Sequence, residues 1–502
     1  MKKGSLILLL MTGACMYGKP ADEEPLRVEV PESWASDLGQ ADAKDAESAG
    51  KDYKQWWTSF GDKELDALVE EVLQNNRELS AAFQRIHAAQ ANAVIAGAEQ
   101  YPWLSGGFQS GRQRNVFVGF PGPGGKPFTS TSTSYGVSLD VTWELDLWGR
   151  IEAQKGAAQA RLLASREDYL AVAWSLVAQT SKAWFALREA RAQVELAQET
   201  VQSRQETLEL VTERFRQGRR PALDVHLARQ QLAQAETSLS LREGLRSQAR
   251  FQLEILLGRY PRGAIEGTEG LPELPPMPKK GIPAEILLHR PDLRTLQQDL
   301  LASRFGVSQS KAELLPRISL TSSVGTTSNQ LSDLVDGDFG VWNLFGNLVQ
   351  PIFQGGRLLA QIDVSEARYR EALELYANRV LFAFGEVESA LTDAHWIEDQ
   401  RRNAQVVLSE AQRAKEISDQ RYADGTVDIL QLLESQRSVF SARSFLLDLE
   451  RKQLEARIDL HLALGGGFQG VQVPHMDGEP DTKEQESAEG DSPSQGGGDK
   501  AQ

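Results

Sequence analysis

Phe215-Arg216-Gln217-Gly218-Arg219-Arg220-Pro221-Ala222-Leu223-Asp224 and Tyr422-Ala423-Asp424-Gly425-Thr426-Val427-Asp428-Ile429-Leu430-Gln431 are one turn written twice. In each, a long helical run ends in an aromatic residue, a glycine follows three positions later, and a leucine five positions after that. Glycine suits the left-handed position that closes a helix, and Pro221 the first turn of the next; Thr426 or Asp428 supplies an N-cap in the second copy. Gly218 corresponds to Gly425 at an offset of 207, which also carries Arg150 to Arg357, Tyr169 to Tyr376, Leu223 to Leu430 and Gly258 to Gly465. Upstream, Ala98-Glu99-Gln100-Tyr101-Pro102 aligns with Ala312-Glu313-Leu314-Leu315-Pro316 at an offset of 214, which also carries Leu79 to Leu293. The chain is therefore a duplication, and the difference between the offsets falls between Pro102 and Arg150. The glycines and prolines of Phe117 to Gly125 mark a loop there.

Working outward from the turns, each unit has the same order. Repeat 1 (53–260) and repeat 2 (283–467) each open with a helix, about Asp62 to Gln100 and Pro283 to Leu314, stopped before Pro102 or Pro316. Strand pairs follow, at about 103–114 with 133–145, and 317–328 with 340–353. Ser134 to Leu145 alternates cleanly: Tyr135, Val137, Leu139, Val141, Trp143 and Leu145 on one face, and Ser134, Gly136, Ser138, Asp140, Thr142 and Glu144 on the other. Gly340 to Phe353 alternates poorly and is placed by the repeat. Long helices over 150–217 and 357–424 come next, each spanning about 100 Å at 1.5 Å per residue. Leu187, Val194, Val201, Leu208 and Phe215 recur every seventh residue, with alanines between them, as in a coiled-coil seam. Each long helix folds back on a return helix, 221–258 or 428–464, so both hairpin tips lie far from the strands.

Composition narrows the class. The net charge of −16 argues against nucleic-acid binding, which needs clustered lysine and arginine. No internal run approaches the ~20 apolar residues of a spanning helix, so strands would have to do any membrane crossing. One cysteine excludes an internal disulfide, and the six histidines show no metal-ligand spacing. No phosphate loop, metal set or nucleophile motif is present, so no cofactor and no catalysis are expected. Lys2, Lys3, the apolar run Leu6 to Met11, and Gly13-Ala14 give residues 1–14 the order of an export signal. Cys15 after it resembles a bacterial lipoprotein acylation site; the alternative is an ordinary secretory peptide with an incidental thiol. Residues 15–52 read as an extended or disordered leader, 261–282 as a linker and 468–502 as a disordered acidic tail.

Four amphipathic strands cannot close a barrel, and an open edge is not tolerated in lipid, so copies must assemble; three would give twelve strands. The fold class expected is mixed: a long α-helical coiled-coil barrel joined to a transmembrane β-barrel, two repeats and four strands per protomer, as a trimer. A periplasmic adaptor protein would have one helical hairpin flanked by β segments, and a coiled-coil scaffold would leave the alternating strands unexplained.

Trp56-Trp57-Thr58-Ser59-Phe60-Gly61-Asp62 followed by Leu65, Leu68, Leu73, Asn76, Leu79, Ala82 and Arg85, together with Arg421-Tyr422-Ala423-Asp424-Gly425 followed by Leu430, Leu433, Gln436 and Arg437, resembles the outer membrane factor (TolC-like) family over roughly residues 53 to 467. Cys15 and the second tip place it nearer that family's lipoprotein branch. The resemblance implies a homotrimeric outer membrane channel of a Gram-negative bacterium, lipid-anchored, with its helical tunnel in the periplasm. Its partners would be outer membrane lipid, a periplasmic adaptor and an inner-membrane pump, of RND type, passing on small molecules. It implies a gate at the tips: Leu430 in an apolar ring, Glu434 in a carboxylate ring that gives cation preference, Arg437 one turn on, and Gln431 where some members have a second aspartate. Tyr422 and Asp224 match residues that tether neighbouring helices, and Val427 replaces an arginine that shares the task in some members. The adaptor is expected at Gly218-Arg219-Arg220 and Gly425-Thr426-Val427. The arginine pair departs from the family's small or apolar tip; it fits either an adaptor with acidic tips or a helix-terminus charge favoured by the dipole.

Overall fold

The computed structural model describes residues 18–25, 28, 30–35, 55–125, 127–278, 283–465 and 473. The first repeat contains α1 (Lys63–Asn75), α2 (Arg77–Ala98), β1 (Trp103–Pro121), β2 (Pro127–Leu145), α3 (Arg150–Arg216) and α4 (Ala222–Leu256). The second contains α5 (Pro283–His289), α6 (Pro291–Ala312), β3 (Arg317–Ser328), β4 (Gly340–Val349), α7 (Arg357–Ala423) and α8 (Ile429–Leu464). The 67-residue helices α3 and α7 are about 100 Å long.

Each opening helix is in fact two. Asn76 leaves helical geometry and its side chain accepts from the N–H groups of Glu78 and Leu79, at 2.8 and 3.1 Å, capping α2. In the second repeat Pro291 forces Arg290 out of the helical region, separating α5 from α6. Both breaks meet the end of a return helix. Asn76 Nδ2 donates to the carbonyl of Leu256 at 2.8 Å, and Arg290 Nη1 to the carbonyl of Ala463 at 3.2 Å, which are corresponding positions in the two repeats. The glycines just beyond, Gly258 (φ 72°) and Gly465 (φ 71°), lie so close to the break that a Cβ on Gly258 would sit 2.6 Å from the Asn75 carbonyl oxygen.

The strands form one antiparallel sheet in chain order, β1-β2-β3-β4. The first hairpin is longer than the sequence suggests: β1 runs past 114 to Pro121, and β2 starts at Pro127 rather than 133. Cross-strand pairing holds the Thr/Ser run in place as far as Phe117↔Phe128, whose rings lie 5.7 Å apart, so the turn shrinks to the glycine-proline segment beyond. β3 ends where Ser328 pairs with Tyr135, so the upper part of the first hairpin projects as a two-stranded ribbon. β4 ends at Val349 rather than 353, because Pro351 cannot donate to a ladder. It alternates poorly because this edge strand carries apolar side chains on both faces: Trp342, Leu344 and Leu348 on one, Val341, Phe345 and Val349 on the other.

The core lies in the helices. Trp56, Trp57 and Phe60 of the entry motif are buried with Leu65, Ile86, Phe185 and Leu253. Asp62 caps α1 through one oxygen while its other oxygen accepts from Trp184 Nε1 (2.8 Å) and from the buried Arg188. The seam residues Leu187 and Val194 are buried and Val201 and Leu208 half-buried, whereas Phe215 is exposed, since the ideal helix drifts against a seven-residue repeat. Polar layers interrupt the seam: Arg204 donates to Gln436, which donates to Thr207, and Gln193 pairs with Ser444.

The leader is a strap over its described residues. Gly18 sits against Gly149 and Glu152 where the sheet passes into α3. Ala21 exchanges bonds with Arg304, Glu24 N–H donates to Tyr369 Oη at 2.7 Å, and Ala35 N–H donates to Glu388 at 2.7 Å. Trp34 is buried edge-on against Phe384. The tail expectation fails at Val473, which packs on the first-repeat core. Cys15, residues 1–14 and the other residues of 468–502 lie outside the described residues.

Candidate functional site at the hairpin tips

The turns after α3 and α7 meet at the end of the helices away from the sheet. Gly218 (φ 70°) and Gly425 (φ 77°) close the helices in the left-handed conformation and are exposed. Thr426 returns its N–H and hydroxyl to the Arg421 carbonyl, and Asp428 caps α8 by accepting from Gln431 N–H at 2.9 Å. The tips pack together through Val211, Val225 and Ala228 of the first hairpin and Tyr422, Ile429, Leu432 and Leu433 of the second.

Tyr422 is the centre of that contact. It is 1 % exposed, with the Arg214 guanidinium 5.1 Å and the Arg220 guanidinium 4.8 Å from its ring centre. Arg214 also donates to the carbonyls of Tyr422 (2.7 Å) and Ala423 (3.1 Å), and Arg220 to that of Val427 (3.1 Å). The position that lacks an arginine side chain, Val427, is thus held through its carbonyl by an arginine from the other tip. Arg220 is half-buried and turned toward the second tip, whereas Arg219 is exposed.

Asp224 is buried beside them, and its Oδ2 has no hydrogen-bond partner among the described residues. Burial pushes its carboxyl above the ordinary value, Arg220 opposes the shift and Asp428 adds to it. Burial likewise raises the Tyr422 phenol. These two residues sit between the tips of one protomer, at the joint that must loosen if the hairpins are to part.

The remaining residues face outward. Leu430 is 58 % exposed although its neighbours Ile429, Leu432 and Leu433 are 2–6 % exposed. Leu223, its counterpart in the repeat, is exposed as well, and so is Gln431. Glu434, one helical turn beyond Leu430, is exposed and pairs with Arg437 at 2.9 Å. The sequence reading missed Arg214, although the repeat offset pairs it with Arg421 and its place in the last helical turn favours a carbonyl-binding cation.

The comparisons agree with this architecture. The family model described as outer membrane efflux protein matches residues 68–259 and 282–466. The pyoverdine export outer membrane protein OpmQ of Pseudomonas aeruginosa is 32 % identical over 474 residues, covering 93 % of this chain and 98 % of that protein. The cation efflux system protein CusC of Escherichia coli O6:H1 is 30 % identical over 470 residues, covering 92 % and 98 %. The crystal structure of the Campylobacter jejuni CmeC outer membrane channel superposes with a TM-score of 0.82 at 25 % identity, covering 93 % of this chain and 98 % of that one. With both repeats matched and relatives similar along nearly their whole length, the chain belongs to the outer membrane efflux protein family, the outer membrane channels of tripartite efflux systems.

Proposed function

We propose that three copies of the chain form a trans-periplasmic tunnel under a twelve-stranded barrel, gated at the hairpin tips. The tunnel receives small molecules from an inner-membrane pump of RND type through a periplasmic adaptor that meets Gly218, Arg219, Gly425 and Thr426. The observation that carries the gate is the exposure of Leu430 amid buried neighbours. An apolar side chain held outward at the end of a tube is covered when three copies converge, and Glu434 then forms the next ring inward. Crowded carboxylates in a narrow bore repel anions, so the open channel prefers cations. The pairing with Arg437 moderates this preference.

The leader supports acylation of Cys15. Cys15 precedes Gly18 by three residues, and Gly18 sits at the junction of sheet and helices, where the inner face of the membrane is expected. The test of the gate is single-channel recording of purified protein in planar bilayers. Glu434→Gln should lower cation preference and Arg437→Gln should raise it; unchanged selectivity in both variants removes the ring, and absence of any conductance removes the channel.

A further inference from the structure

Residues 100–139 contain Arg112, Arg114 and Lys126 but no aspartate or glutamate, in a chain with 70 acidic residues among 502. At the chain's average density about six acidic and about four basic residues would be expected, so the stretch is cleared of acid and is left with a net positive charge in an acidic chain. Its structured part is the first hairpin, whose far end points away from the helices.

Cross-strand register fixes which way the arginines face. Directly paired residues share a face of the sheet. Leu104 pairs with Val141, Phe108 with Val137, Arg112 with Thr133 and Arg114 with Thr131. Both arginines therefore lie on the face of Leu139, Val141 and Trp143. The opposite face carries Ser138, Asp140, Thr142, Glu144, Ser319, Thr321 and Ser323, and so lines the interior of any barrel.

Height along the strand gives the level. From Leu145 to Tyr135 the outward face of β2 is continuously apolar or aromatic over ten residue steps. At about 3.4 Å per step and a tilt of about 40° this is a band of roughly 26 Å, matching the ~25 Å apolar belt of a membrane barrel, with Tyr135 at its aromatic upper edge. Arg112 and Arg114 stand about 5 and 10 Å beyond that edge, at the depth of the outer-leaflet headgroups. Both are exposed, and neither makes an ion pair among the described residues. The β3–β4 connection at the same end carries Asp333, Asp336 and Asp338; Asp333 accepts from Ser328 and Asp336 from Asp338 N–H.

We infer that Arg112 and Arg114 form an anion-binding step on the outer rim that takes the phosphate groups of an outer-leaflet phosphoglycolipid. The guanidinium fork suits phosphate, and the neighbouring Thr131 and Thr133 supply hydroxyls at the same level. The inference rests on the barrel reading above.

The test uses the full-length protein and Arg112→Thr/Arg114→Thr, which extends the threonine pattern of the ribbon. Both are reconstituted into phosphatidylcholine vesicles containing either diphosphoryl lipid A or dephosphorylated lipid A. Flotation with the vesicles reads barrel insertion, and the lipid A retained per protein after mild detergent extraction reads the site. Both proteins should float. The parent should bind diphosphoryl lipid A about 30-fold more tightly than the variant, roughly fivefold per arginine, with no difference for the dephosphorylated lipid. Equal retention by the two proteins overturns the proposal. So does displacement of the lipid by inorganic phosphate at matched phosphate concentration, which would make the site one for free anions. A variant that loses its oligomeric state in lipid-free detergent would instead assign the arginines to the acidic β3–β4 connection of the next copy. If neither protein floats, the barrel fails and the proposal falls with it.

Discussion

Replacing Arg220 by glutamine separates the two roles open to the arginine pair at the first tip. Arg220 donates to the Val427 carbonyl at 3.1 Å and lies 4.8 Å from the Tyr422 ring centre, and it is the cation that offsets the buried Asp224 carboxylate. A hydrogen bond from a charged donor at a half-buried site contributes about 1 kcal/mol, and the ring contact about 0.5 to 1 kcal/mol. Asp224 would be left without its positive neighbour, so the joint should lose about 2 kcal/mol, roughly a 30-fold shift toward separated tips. Arg219 is exposed and engages the tip through its backbone N–H, bonded to the Arg214 carbonyl at 2.9 Å, so Arg219→Gln should change little. Hydrogen exchange of the amides from Thr426 to Leu433, with the fraction of time open in planar bilayers, measures both. Adding Asp224→Asn to Arg220→Gln should return part of the loss, since the unpaired charge is removed. Equal behaviour of Arg219→Gln and Arg220→Gln would refute the inward assignment.

Gly258→Ala should cost about 3 kcal/mol or more, because φ is 72° and the new Cβ would lie 2.6 Å from a backbone oxygen; Gly61→Ala, with φ 64° and open space around it, should cost about 1 kcal/mol. Thermal unfolding followed by helical circular dichroism distinguishes them. Asp224 binds its proton more tightly in the packed tip than when released, so the tip is most stable below the ordinary carboxylate value and loosens as pH rises through the raised one. Tip hydrogen exchange, corrected for its intrinsic pH dependence, should show this slope and Asp224→Asn should flatten it. Asp292 behaves oppositely: burial raises its carboxyl, but Arg290 and Arg379 outweigh burial and hold it low. Its contribution is present above the ordinary carboxylate value and is lost as pH falls through the lowered one, so strong acid should loosen the α5–α6 joint, with Asp292→Asn insensitive.

The repeat was legible because its punctuation is local. A left-handed glycine after a helix and a proline at the start of the next are properties of a few consecutive residues, and the offset needed only counting. The break before Pro291 was missed, although the rule that ended the opening helices at Pro102 and Pro316 applies to it equally. Asn76 is harder to read: asparagine is tolerated within helices, and what makes it a cap is the return helix ending beside it. The projecting ribbon was missed because Thr129 to Ser134 has no apolar alternation; its order comes from the opposite strand. The burial of Tyr422 and Asp224 depends on one tip packing on another about 200 residues away, and no local pattern encodes that. Leu430 and Glu434 could be placed on one side of α8 from spacing alone.

The two halves keep the same joint with different chemistry, and the difference follows what lies against each. Asn76 makes its bond to the return helix with a short neutral amide. At the corresponding position Arg290 makes the same bond and also reaches Asp292 (2.8 Å) and Glu386 (2.6 Å), while Arg379 bridges the same two carboxylates at 2.5 and 2.8 Å. Two cations and two anions close a ring joining α6 to α7. A guanidinium this buried, 5 % exposed, is tolerable because both acids are present; removing either would leave two cations sharing one carboxylate. The ring lies on the stretch of α7 that receives the leader, between Tyr376 and Glu388, where Trp34 packs on Phe384 and Ala35 bonds to Glu388. In the first repeat the equivalent joint is covered instead by aromatic residues of the entry motif and by the loop after α4, whose N–H groups at Gly263 and Ala264 bond to Glu254. Duplication supplied one joint twice. The segments outside the repeat then decided how each joint is covered: the first by aromatic packing and a loop bonded to Glu254, the second by a ring of two arginines and two carboxylates.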